Sequence, residues 1–89
     1  ICTVYDAVPG LPPMAVAALS FFNDVITREA FAAGIPLIDL RLVCDAMTDY
    51  STLSAIEPSA AGGEKISTAV ARIASTHDFA LGRCVVFAR

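Results

Sequence analysis

The chain is short of cations, has a single histidine and lacks any long apolar run, and each shortage removes a class of function. Six Lys and Arg are scattered among nine Asp and Glu, giving a formal net charge of −3. That leaves no basic footprint for nucleic acid. Asn23, Asp24, Arg28 and Glu29 interrupt the best apolar stretch before it reaches the ~18 residues of a membrane span, so no membrane partner is expected. A signal peptide is not expected either, because no basic lead and apolar core precede a cleavage-like site. His77 and the widely spaced Cys2, Cys44 and Cys84 do not have metal-ligand spacing, and no metal or cofactor is expected. Three thiols, an odd number, each in or beside an apolar segment, read as buried cysteines of a reducing compartment, hence cytoplasmic. Dinucleotide and phosphate loops are missing as well. Pro9-Gly10-Leu11-Pro12-Pro13 offers one glycine where the dinucleotide motif needs three, and no G-x-x-x-x-G-K-[ST] run occurs.

What is present is apolar. Eighty-nine residues make one small domain, yet 56% are hydrophobic before Gly is counted, against ~45–50% with Gly for an ordinary globular domain. A small domain has more surface per unit of core and should be more polar than average. Residues 1–89 therefore read as a piece of a larger core. The same reasoning makes the piece marginal by itself, because its first strand would lack a neighbour on one edge.

Ile1-Cys2-Thr3-Val4-Tyr5 is β-branched and aromatic, and short enough for a strand buried on both faces. The prolines of residues 6–13 exclude helix and central strand. From Met14 to about Ala33 the period is helical, with Leu19, Phe22, Ile26 and Ala30 on the inner face. Gly34 and Pro36 stop that helix. Residues 36–40 form a second strand that could extend to Arg41, so strand, helix and strand make a βαβ unit with parallel strands. An irregular loop fills 44–61. Ser59 then caps a last helix running to about Ser75, with Ile66, Ala69, Val70 and Ile73 inward. Two glycines in its first turn cost helix propensity, which implies a close backbone approach there. Residues 83–88 read as a third strand.

The stretch Ser54-Ala55-Ile56-Glu57-Pro58-Ser59-Ala60-Ala61-Gly62-Gly63-Glu64-Lys65-Ile66 resembles the last sequence block of the SGNH/GDSL hydrolases. That family closes with D-x-x-H-P, a small polar residue, a glycine turn and a helix reading K-I-A. Pro58, Ser59, Gly62 or Gly63, Lys65 and Ile66 fit the frame. Ser54 stands where the family has its Asp, and Glu57 where it has its catalytic His. The resemblance runs from Thr3 through the closing helix. It implies the C-terminal part of a flavodoxin-like SGNH three-layer α/β fold, and a parent that hydrolyses small-molecule carboxylic esters with a Ser nucleophile. The family's Gly-Asp-Ser and Gly-x-Asn-Asp blocks have no counterpart in these residues, so the chain alone is expected to be inactive.

Each chemical candidate has a bland counterpart. A base for serine must take a proton near neutral pH and return it; free Glu titrates at ~4.3 against ~6.5 for His. Glu57 is accordingly either a substrate-facing base or a carboxylate favoured near a helix N-terminus. Ser54 cannot supply the anion that orients a base. His77 lies some twenty residues past the block and reads as a surface residue at a helix end. Asp6, at the C-terminal end of the first strand, is a cleft candidate, because ligands of open α/β sheets bind at that end; otherwise it initiates the proline loop. Asp39 is expected to pair with Arg41 two residues on. The alternative function is a non-catalytic α/β module whose cleft binds a ligand or partner.

Overall fold

The computed structural model describes residues 1–88. Helix α1 spans Pro13–Ala33. The short strand β1 is Leu37–Ile38, followed directly by α2, Leu40–Val43. A 3-10 turn at Met47–Asp49 precedes α3, Ala60–Thr76, and a second one at Phe79–Leu81 precedes strand β2, Val86–Phe87. No helix among the described residues is long and apolar enough to cross a membrane.

β1 and β2 pair in parallel, Leu37 with Val86 and Ile38 with Phe87. On its other side β1 receives the N-terminal segment, where Cys2 forms a parallel bridge to Ile38. Thr3 N donates to Ile38 O at 3.0 Å and Ile38 N to Ile1 O at 2.9 Å. The expected parallel βαβ arrangement is present, with less ladder than the sequence suggested. The N-terminal strand is reduced to this bridge. The second strand ends at Ile38 rather than Leu40 or Arg41, because Asp39 turns the chain. Its carboxylate accepts from Arg41 N at 3.2 Å as the N-cap of α2, which uses the chain's direction for a helix instead of a longer ladder. The third strand is confined to two residues of the expected six.

The core cluster joins Ile38, Leu40, Val43, Cys44, Tyr50 and Ile73, with Cys2, Tyr5, Val8, Ile66, Ala69 and Phe87 packed against it. Among the described residues it includes nothing from α1. Leu37 is nevertheless 1% exposed, and alternation points it to the opposite face. Helices α2 and α3, packed on each other, cover the face that carries Ile38.

Two predicted helix faces need correction. Phe22 was expected inside but is 63% exposed, while Asn23, which is not among the residues of the expected inner face, is buried. The reason is a hydrogen-bond demand. Val4 N donates to Asn23 Oδ1 at 2.7 Å and Asn23 Nδ2 donates to Val4 O at 2.8 Å. The side-chain amide thus does the work of a neighbouring strand for one peptide of the N-terminal segment. On α3, Val70 is half exposed while Ile73 is buried, because Gly62 and Ile73 set the inward direction.

Gly34 ends α1 in the left-handed region at φ 64°, as a C-terminal glycine should. Gly62 makes the close approach that its sequence position implied. A Cβ there would overlap the Asp49 carbonyl oxygen, whereas Gly63 faces open space.

Candidate site at the carboxyl end of the strands

The backbone leaves the N-terminal segment and β1 at the same end, and two acidic positions emerge there. Asp6 follows the first, half-buried, and Asp39 follows the second. Asp39 accepts from Arg41 Nε at 2.8 Å, from Arg41 Nη2 at 2.7 Å and from Thr3 Oγ1 at 3.0 Å. The expected Asp39–Arg41 pair is present, and Arg41 first, then Thr3, holds the carboxyl below its ordinary range against the opposing effect of burial. The same bonds, with a smaller contribution from the charge of Asp6, push the Arg41 guanidinium up. This cluster is a closed structural network that ties the first strand to the start of α2.

The loop that carries Glu57 is pinned to this end from two directions. Tyr5 Oη donates to Ile56 O at 2.7 Å. The Tyr5 ring meets Tyr50 edge-on, centroids 5.3 Å apart, and Tyr50 Oη donates to Cys44 O at 2.7 Å. Tyr50 also bridges Pro58 in antiparallel fashion, and Ser51 N donates to Glu57 O at 2.8 Å. On the far side, Ser59 N donates to Asp49 O at 2.8 Å, Ser59 Oγ donates to Thr48 O at 2.6 Å and accepts from Gly62 N at 3.2 Å. Lys65 Nζ reaches back from α3 to the buried Asp49 Oδ2 at 2.8 Å, which also accepts from Ala46 N at 3.0 Å. The Lys65 bond comes first in holding the Asp49 carboxyl below its usual range. The residues matching the hydrolase block, Pro58, Ser59, Gly62 and Lys65, therefore form one docking device whose seat is the Asp49 turn.

Glu57 itself is exposed, two residues ahead of the Ser59 cap. Its charge contributes to raising the Tyr5 phenol, after burial and Cys44, and Asp6 acts in the same sense on Tyr50. Both carboxylates thus act electrostatically on the Tyr5–Tyr50 pair. Ser54 is half-buried, and the bond joining it to Glu57 is backbone to backbone, Glu57 N to Ser54 O at 3.0 Å. Beside the loop lies a groove of about 510 Å³ lined by Met47, Thr48, Tyr50, Ser51, Leu53 and Ser59.

Other titrating groups nearby are unsuited to nucleophilic work. Burial pushes the Tyr50 phenol up to about 12 and the Cys44 thiol above its usual value; a buried, protonated thiol is inert. His77 caps the far end of α3, 17 helical residues or about 25 Å of rise from the Glu57 end. It stands at a helix end, as expected, and is half-buried there. Its ring packs edge-on against Phe79 at 4.7 Å and Phe87 at 6.0 Å, and its Nε2 is buried without a hydrogen-bond partner among the described residues. Among the described residues no group of three or more His, Cys, Asp or Glu could hold a metal ion, and Cys2, Cys44 and Cys84 are free thiols.

Tyr5, Tyr50 and the Asp49–Lys65 pair were not foreseen as parts of this region. Tyr5 had a usable signal, since it ends the first strand just before Asp6. Asp49 and Lys65 are sixteen residues apart with no periodic link, and only the turn between them brings them together. No family model, no curated protein and no solved structure matches the chain.

Proposed function

We propose that residues 1–89 form the C-terminal part of an SGNH/GDSL-like hydrolase of flavodoxin-like architecture that acts on small carboxylic esters in the cytoplasm. One observation carries the reading. The block resembling the family's last motif is docked as a unit on Asp49 and Tyr5, with Glu57 at the carboxyl end of parallel strands, where α/β enzymes hold their substrates. A Ser hydroxyl supplied by a preceding segment attacks the ester carbonyl carbon. Glu57 accepts the hydroxyl proton as the Ser–carbon bond forms and returns it to the alkoxide as the carbon–oxygen bond to the leaving group breaks. It then takes a proton from water attacking the acyl-enzyme and gives it to the Ser oxygen as the Ser–acyl bond breaks and the carboxylic acid leaves. The groove beside Met47 and Leu53 offers room for a small acyl or alcohol group.

A second reading has its own observation. Glu57 is exposed and its link to Ser54 is through backbone atoms, so no anionic side chain orients it as a base. The scaffold then serves as a non-catalytic binding module. Assay of the full-length protein on p-nitrophenyl esters separates the two. The hydrolase reading expects turnover in the full-length chain, none from residues 1–89 alone, and at least a tenfold loss in Glu57→Gln. Full-length protein without esterase activity on any short acyl ester favours the binding module.

A further inference from the structure

We propose that the Asn23 side chain is an edge guard. It fills the hydrogen-bonding edge of the N-terminal segment at Val4 and so stops another strand, above all that of a second copy of this chain, from adding to the sheet there. The alternation of the backbone fixes which edge this is. Thr3 N and Ile1 O face β1, each bonded to Ile38, at 3.0 and 2.9 Å. Successive residues of a strand turn their peptide groups to opposite edges, so Cys2 and Val4 present theirs on the side away from β1. Asn23 meets the Val4 groups there, accepting from Val4 N at 2.7 Å and donating to Val4 O at 2.8 Å. A neighbouring strand would need these same two groups. Among the described residues the Cys2 N–H and C=O have no such partner.

The segment is one that needs guarding. Ile1-Cys2-Thr3-Val4-Tyr5 has β-branched and aromatic side chains, no charged side chain and no proline. That is the makeup of a short window prone to pair with other chains. Val4 is 39% exposed, so another chain reaches it. Asp6 and the proline loop interrupt the window on its C-terminal side, but nothing within it does so.

The choice of residue fits the task. Water would satisfy the peptide of an exposed edge, but water gives way to an incoming strand. A primary amide offers a donor and an acceptor together, matching the N–H and C=O of one residue. Asn is a poor residue for the middle of a helix, yet α1 holds it at a buried position. The guard is independent of whether the protein is a hydrolase or a binding module.

Aggregation kinetics under reducing conditions, followed by thioflavin T, test this. Ile73→Ala is the comparison, because it removes core packing from α3 and touches neither Val4 nor Asn23. With urea set so that both variants are unfolded to the same fraction, Asn23→Ala should assemble with a half-time at least about tenfold shorter than Ile73→Ala. Adding Val4→Lys puts a charge on the same edge. It should slow Asn23→Ala by a similar factor without raising its urea midpoint, and leave Ile73→Ala unchanged. Equal half-times for Asn23→Ala and Ile73→Ala overturn the proposal, since Asn23 then acts through stability alone. So does a Val4→Lys effect of the same size in both backgrounds, which puts the assembly in the unfolded chain. The wild-type protein gives a readout that needs no variant to fold. Its Val4 amide should exchange slowly with deuterium, and free exchange there overturns the proposal because the plug is then open in solution.

Discussion

Replacing Gly62 or Gly63 by alanine should have opposite effects, although the two are adjacent in the first turn of α3. Helix propensity favours both changes, by at most ~1 kcal/mol each. At Gly63 the new methyl enters open space, so the gain is kept. At Gly62 the methyl overlaps the backbone carbonyl of Asp49, which cannot swing aside like a side chain. Relieving the overlap separates α3 from the Asp49 turn. The movement weakens the bonds from Ser59 N to Asp49 O and from Gly62 N to Ser59 Oγ, at 2.8 and 3.2 Å. Overpacking costs ~1–3 kcal/mol, and each weakened bond adds up to ~1 kcal/mol. Gly62→Ala should therefore destabilise by about 2 kcal/mol while Gly63→Ala stabilises by up to about 1 kcal/mol. In urea, with a slope near 2 kcal/mol per molar, the two midpoints should differ by about 1.5 M. Equal midpoints, or a Gly62→Ala variant more stable than wild type, would refute the close docking of the block on Asp49.

Asn23→Leu should destabilise by about 2–4 kcal/mol, because both the N–H and the C=O of Val4 lose their partner in a partly buried setting; urea unfolding against an Asn23→Gln control reads the loss. Asp39 has its carboxyl lowered chiefly by Arg41, so its stabilising contribution is complete above the free carboxylate range near ~3.9 and is lost as the pH falls through the depressed folded value. Asp39→Asn should flatten the acid limb of a stability-against-pH curve, and an unaltered limb would exclude the pair as its source. Tyr5→Phe should cost about 1 kcal/mol and, more specifically, speed amide exchange at Ser51 and Glu57 relative to α3, since the Tyr5–Ile56 bond is one of the two anchors of that loop.

Where a single principle decided local structure, the sequence was readable. Helical period from Met14 to about Ala33 with a glycine stop predicted α1, which starts one residue earlier because Pro13, assigned to the proline loop, serves as its first helical residue; Ser59 as a cap predicted the start of α3. The two glycines implied a close approach, which Gly62 makes. Strand lengths were misread because Asp39 has two possible destinies, ladder residue or helix cap, and the Thr3 and Arg41 contacts that choose the cap lie far apart or across a turn. Asn23 was misplaced because polarity predicts exposure, whereas the free peptide of Val4 required an amide inside. Of the candidate site, the position of Glu57 ahead of a capped helix was legible from Pro58 and Ser59. Its anchors were not, because Tyr5 and Asp49 acquire their roles only when the chain folds back on itself.

The central claim is that Glu57 occupies the place of the base in a hydrolase cleft. The direct test is the pH dependence of kcat/KM for ester hydrolysis by the proposed hydrolase, wild type against Glu57→His and Glu57→Gln. The account predicts that Gln lowers kcat/KM at least tenfold at every pH. It predicts that His restores turnover with an acid limb moved upward, toward the ~6.5 of imidazole. An acid limb that stays in place in Glu57→His, with turnover unchanged in Glu57→Gln, would contradict it and leave Glu57 a surface carboxylate ahead of a helix.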